Sequence, residues 1–102
     1  MSEDRIALAE EQAEIHQIFS NARRILIVWL LENQEMSVGD IAVQIGATLQ
    51  STSQHLRLMR DKGLLVTRRE GQTIYYRITD NIFSNNCRKM LHQIYPNHVD
   101  DI

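Results

Sequence analysis

The chain has 102 residues, 43% hydrophobic and 24% charged, with a net charge of −2, values expected of a single folded domain over 1–102. The longest apolar run, Ile25 to Leu31, is far too short to cross a membrane, and the acidic start Met1-Ser2-Glu3-Asp4 lacks the basic-then-apolar order of a secretory signal, so a cytoplasmic location is expected. Cys87 is the single cysteine, which excludes a disulfide within one chain and a zinc site built from several thiolates.

Residues 4–19 contain no Gly or Pro, and Leu8, Ile15, Phe19 and Ala22 fall at spacings that share a helix face. Ser20 or Asn21 caps the next helix, about 22–33, whose run Ile25-Leu26-Ile27-Val28-Trp29-Leu30-Leu31 is apolar all round and so is expected at the centre of the fold. Ser37 stands three residues before Asp40, a variant of the capping box, and opens a short helix from Val38 to Ile45 with Val38, Ile41, Ala42 and Ile45 on its apolar face. Gly46 supplies the left-handed residue that ends it. Thr48 caps a longer helix, Leu49 to about Lys62, with Thr52, Leu56 and Met59 inward and Gly63 as its stop.

The period then changes from helix to strand. Leu64 to Arg69 reads as one strand, Glu70-Gly71-Gln72 as a turn, and Thr73 to Ile78 as the returning strand with Arg77 toward solvent. Asp80 is the expected cap of a last helix, about 81–94, with Phe83, Cys87, Leu91 and Ile94 on one face and Pro96 beyond it. The predicted fold is mainly α with a β-hairpin wing, in the order α-α-α-α-β-β-α, with a helix-turn-helix at 37–62 and a wing at 64–78.

The start of the 49–62 helix is chemically unusual. Thr48-Leu49-Gln50-Ser51-Thr52-Ser53-Gln54-His55 is built mostly of small or amide side chains and holds no Glu or Lys, the residues that favour an exposed helix face. Side chains that both donate and accept are what reading base edges requires, and a helix-turn-helix sets the start of its second helix against the bases. Charge is also uneven. Arg57, Arg60, Lys62, Arg68, Arg69 and Arg77 stand against only Asp61 and Glu70, whereas the first fourteen residues hold five acids and Arg5. That distribution suits a phosphate-facing surface and suits a solvated charged surface equally well. Arg57 and the hairpin residues Arg68, Arg69, Gln72 and Thr73 are candidate contacts to phosphates or a minor groove. A winged-helix module that binds protein and no DNA is the alternative. No nucleophile, phosphate loop or ligand cluster with coherent spacing points to an enzyme or a cofactor, and the Ser51–His55 pair lacks an orienting third group.

The stretch EMSVGDIAVQIGATLQSTSQHLRLMRDKGLLVTRREGQTIYYRI, residues 35–78, resembles the ArsR/SmtB family of winged-helix repressors, and the likeness extends upstream through NARRILIVWLLENQ, residues 21–34. The resemblance implies a homodimer paired through the first and last helices (1–20 and 81–95 here), bound to double-stranded operator DNA and repressing a small operon until a metal or oxidant reaches a sensor site. It places the base-reading positions on Leu49, Gln50, Ser53 and Gln54, with Ser51 and His55 beside them. Leu49 departs from the polar residue usual there and suits a thymine methyl.

The family's sensor ligands are largely missing. Its thiolate metal site falls on Ser37, Val38 and Gly39, which supply no thiolate. The carboxylate-histidine site of its last helix finds Asp80, Asn81, His92 and His98 but Phe83 at a ligand position, so no metal is expected. The chain is most similar to the branch that senses sulfide or oxidants through two cysteines, yet Val28 and the Tyr95-Pro96 region occupy those places. Cys87 is left as the candidate redox sensor, against the plainer reading of a small core residue. The inducer is not legible.

Overall fold

A computed structural model of the chain describes residues 1–94. Five helices and three short strands follow one another as α1 (Glu3–Ile18), α2 (Ala22–Leu30), β1 (Met36–Ser37), α3 (Val38–Ile45), α4 (Leu49–Asp61), β2 (Leu65–Glu70), β3 (Thr73–Ile78) and α5 (Ile82–Ile94). Among the described residues no helix is long and apolar enough to cross a membrane. The expectations at Tyr95, Pro96 and His98 lie outside the described residues.

Local chemistry sets most of the boundaries. Asn21, of the two candidate caps, accepts from the amides of Arg23 and Arg24 and starts α2. Ser37 Oγ accepts from the Asp40 amide at 3.2 Å, and Thr48 Oγ1 accepts from the Ser51 amide at 3.0 Å, so both helices of the helix-turn-helix are capped as their sequences require. Gly46 closes α3 at φ 66°, in the left-handed region where a side chain is strained. The hairpin pairs Glu70 with Thr73 across a two-residue loop. Of the two loop residues only Gly71 has a positive φ, the pattern of a type II′ turn.

The core gathers Ile15 and Ile18 from α1, Ile27 and Val28 from α2, Ile41 from α3, Leu56 and Met59 from α4, and Leu65 and Tyr76 from the sheet. Cys87 and Leu91 close it from α5. Thr52 is buried with them, its hydroxyl donating to the Thr48 carbonyl at 2.8 Å. Thr52, Leu56 and Met59 are thus the inward row of α4, as their spacing predicts.

Three expectations need correction. First, the sheet has three strands in the order β1-β3-β2, with Met36 opposite Tyr76 and Ser37 opposite Tyr75. A two-residue strand shows no alternation, so its sequence carried no signal. Second, α2 ends at Leu30, short of 33, because the chain turns and Asn33 takes φ 64°. It is not buried all round either: Ile27 and Val28 are fully enclosed, while Leu26 is 37% exposed. Third, α5 is capped by Asn81 in place of Asp80. Asn81 Oδ1 accepts from the Ser84 amide at 2.7 Å, while Ser84 Oγ accepts from the Asn81 amide at 3.2 Å, a reciprocal box. Asn81 Nδ2 also donates to the Gly63 carbonyl at 3.0 Å, tying the start of α5 to the end of α4. Leu8, on the predicted helix face with Ile15, lies outside the core. Residues 1–10 are all exposed, and α1 meets the body through Ile15 and Ile18 near its C-terminal end.

Candidate nucleic-acid interface

The inward row of α4 dictates what faces out. Leu49 is 59% exposed, and Gln50, Gln54 and Arg57 are exposed with Ser53 half-buried beside them. These residues form a continuous outward strip at helical spacing. Leu49 and Ser53 line one wall of a groove whose other wall is the hairpin at Gln72, Thr73 and Ile74, with Val38 and Gly39 also lining it. The structure therefore brings the helix start and the wing tip, predicted separately, onto one surface. The thirteen-residue α4 opens there, and the positive end of its dipole favours an anion nearby.

Ser51 and His55 do not belong to the outward strip. Both are half-buried on the flank of α4, and His55 Nδ1 lies 3.2 Å from Arg24 Nη1. A guanidinium only donates, so Nδ1 accepts and the imidazole is neutral with its proton on Nε2. Burial lowers the His55 pKa, and the charges of Arg24 and Arg23 lower it further. Arg24 itself holds the end of α1, donating from Nε to the Ile18 carbonyl at 2.7 Å and from Nη2 to the Gln17 carbonyl at 3.1 Å. His55 is part of this bracket between α1, α2 and α4.

Sequence reasoning passed over Arg23. It is exposed at the start of α2, close enough to depress His55, and has no ion pair among the described residues. A signal was available. Two arginines in the first turn of a helix oppose the helix dipole. Such placement asks for a reason outside helix stability, and Arg24 has found one inside the fold.

The cations between Arg57 and Arg77 are not equivalent. Arg60 pairs with Asp61 at 3.3 Å and Lys62 Nζ with Glu14 at 2.6 Å, so the C-terminal end of α4 is largely neutralised. Arg68 is engaged by two carboxylates: Nε and Nη2 donate to Glu35 at 3.3 and 2.6 Å, and Nη1 donates to Glu70 at 2.9 Å. Its guanidinium also lies 4.5 Å above the Tyr75 ring. Arg57, Arg69 and Arg77 have no ion pair among the described residues.

Strand alternation separates the two wing arginines. The cross-strand pairs Leu65–Ile78, Thr67–Tyr76 and Arg69–Ile74 share one face, and the pairs Val66–Arg77, Arg68–Tyr75 and Glu70–Thr73 share the other. Leu65 and Tyr76 are buried in the core, and Ile74 lines the groove beside α4. Arg69 thus extends the helix-facing side of the wing, while Arg68 lies on its outer side.

The sensor candidates also find their places. Cys87 is fully enclosed, and burial, followed by the charge of Glu11, pushes its thiol up to about 12. A thiol held protonated and closed to solvent is a poor nucleophile, which weighs toward the plainer reading of Cys87 as a core residue. His92 Nε2 lies 3.4 Å from Glu32, a carboxylate that also receives Arg88 Nη2 at 2.9 Å, so His92 belongs to a bridge between the turn after α2 and α5.

Residues 21–67 match the model of the bacterial regulatory protein family named arsR. Across 78 residues the chain is 36% identical to the biofilm growth-associated repressor of Xylella fastidiosa, covering 76% of this chain and 68% of that one. The chain belongs to the arsR family. The family consists of transcription regulators, not enzymes. The solved Xylella repressor superposes with a TM-score of 0.79 at 31% identity, covering 94% of both chains. A homodimeric winged helix-turn-helix DNA-binding domain from Mycobacterium bovis superposes with a TM-score of 0.76 at 28% identity, over 100% of this chain and 94% of that one. Relatives with different names are equally similar. The regulator KmtR of Mycobacterium tuberculosis is 37% identical over 78 residues, 76% of this chain and 58% of its own length. The transcriptional activator HlyU of Vibrio cholerae is 33% identical over 76 residues, 74% of this chain and 69% of its own. The chain thus matches little more than half the length of KmtR.

Proposed function

We propose that this arsR-family chain binds double-stranded operator DNA as a homodimer and represses a small operon. The carrying observation is the shared groove: Leu49 and Ser53 on α4 face Gln72 and Thr73 on the wing, with Gln50, Gln54 and Arg57 exposed alongside. A helix inserted in a major groove and a wing on the neighbouring backbone fit that arrangement. In this reading Gln50, Ser53 and Gln54 meet base edges, Leu49 meets a thymine methyl, and Arg57, Arg69 and Arg23 meet phosphates.

Pairing with a second copy is supported by α1. Its first half is exposed and carries Ile6 at 46% and Leu8 at 54% exposure. A helix of this kind gains little from its own backbone in water and needs a packed face. Leu8 borders a groove shared with Met90 of α5, so a partner seated on both helices covers it. Repression agrees with the name of the Xylella relative, and a promoter-reporter assay decides it against activation. The chain is closest in character to the thiol-sensing branch of the family, but with Cys87 as its only cysteine no disulfide within the chain operates the switch.

The test is a gel shift of the purified protein on DNA from upstream of its own gene. Sequence-selective retention supports the reading, and no shift on any promoter fragment rejects it. Gln54→Ala should weaken specific binding by about 1–3 kcal/mol and leave non-specific binding nearly unchanged. Equal affinity for the operator would remove Gln54 from the reading set. Arg69→Ala should lower affinity for all sequences alike and flatten the slope of log affinity against log salt by about one. An unaltered slope would place Arg69 off the backbone.

A further inference from the structure

The wing arginine nearest Glu35 is already holding an anion. Glu35 offers its carboxylate to two adjacent nitrogens of Arg68, Nε at 3.3 Å and Nη2 at 2.6 Å. This is the fork-to-fork geometry by which a guanidinium also takes a phosphate. Glu70 occupies the remaining terminal nitrogen at 2.9 Å, and the Tyr75 ring supports the guanidinium plane from 4.5 Å. The anion is delivered by the turn before β1, the strand that the sequence did not show.

We propose that Glu35 acts as a phosphate surrogate on the wing, holding Arg68 in the free protein and yielding it to a DNA backbone phosphate on binding. Glu35 then sets an upper limit on affinity without touching a base. The inference rests on the DNA-binding reading above. Three observations make the exchange favourable. Arg68 is on the wing, two positions before the end of β2, and is about half exposed, so phosphate reaches it without unfolding anything. The Tyr75 ring and Glu70 keep the guanidinium extended while its partner changes. Arg77, which has no ion pair among the described residues, already acts on the Glu35 carboxylate and remains beside it when Arg68 leaves. Glu35 is therefore not left as an isolated charge, and its cost of release is small.

The same geometry explains why a second basic residue on the wing differs from Arg69. Arg69 carries no internal anion and adds its full charge to the interface. Arg68 must first exchange one anion for another, so part of its contribution is offset.

Glu35→Gln removes the competing charge and keeps the shape. Its DNA affinity, read by fluorescence anisotropy on operator and on random duplex, should rise about two- to fivefold on both, the range of an exposed ion pair. The slope of log affinity against log salt should steepen by up to about one, since Arg68 now neutralises a phosphate without a carboxylate recovering a cation. Arg68→Ala in the Glu35→Gln background should abolish both gains. A melting curve confirms that each variant folds, and a purely structural role for Glu35 would weaken binding and leave the slope alone. If the parent binds DNA and Glu35→Gln binds no tighter, with an unaltered slope, the surrogate role is rejected and the DNA-binding reading stands. If the parent binds no DNA, both are rejected.

Discussion

Leu8→Glu is expected to yield a monomer and to weaken operator binding by about 100-fold or more. Leu8 is 54% exposed on α1 and borders the groove between α1 and α5, the surface that the proposed second copy covers. Two DNA-reading units held in one particle bind their half-sites with an effective concentration that adds about 10²–10⁴ to the affinity of one unit. A carboxylate buried at that contact without a partner prevents pairing. The substitution spares the fold of the single chain, because position 8 makes no core contact and Glu is as good a helix former as Leu. Light scattering gives the mass, circular dichroism the helix content, and anisotropy the affinity. A particle that keeps the parent's mass and its affinity would remove α1 from the dimer contact.

Leu56→Ala has the second large effect, on stability. Leu56 is fully buried in the inward row of α4, between Thr52 and Met59, and joins a core fed by every helix. Removing a buried leucine side chain costs about 2–5 kcal/mol, through lost burial and the cavity left behind. A domain of this size has about 5–15 kcal/mol in all, so the midpoint should fall by on the order of ten degrees or more. Urea titration at fixed protein concentration measures the loss, the concentration being held because pairing shifts the midpoint. A change under about 1 kcal/mol would mean that the core closes over the gap, contrary to its packing. The contrast with Gln54→Ala is informative: one residue on α4 holds the helix in place and the other is proposed to read from it.

The helix-turn-helix was legible because its determinants are local. Ser37 and Thr48 cap helices three residues ahead of the amides they bind, and Gly46 and Gly71 take the positive φ that their turns need. The period of Thr52, Leu56 and Met59 states which side of α4 is buried; Leu49, Gln50, Ser53 and Gln54, singled out by the family resemblance, lie off that row. Asp80 was misplaced by one residue for the same local reason. Adjacent Asp and Asn are both good caps, and only the reciprocal bonds of Ser84 select Asn81.

Basic residues were legible as a count and not as a surface. Charge on a sequence does not reveal its partner: Glu35 and Arg68 stand 33 positions apart, and Arg24 and His55 stand 31 apart. Which cations remain without an ion pair among the described residues is settled only when distant elements meet.

The winged helix-turn-helix and the buried row of α4 follow from the sequence alone, since caps, turns and helical period act within about one turn of the chain. Tertiary structure alone decided that β1 joins the wing, that His55 turns inward to Arg24, that Cys87 is sealed in the core, and that Arg68 is already held. Each of these depends on a contact between residues far apart in the chain, and no local pattern encodes the identity of such a neighbour.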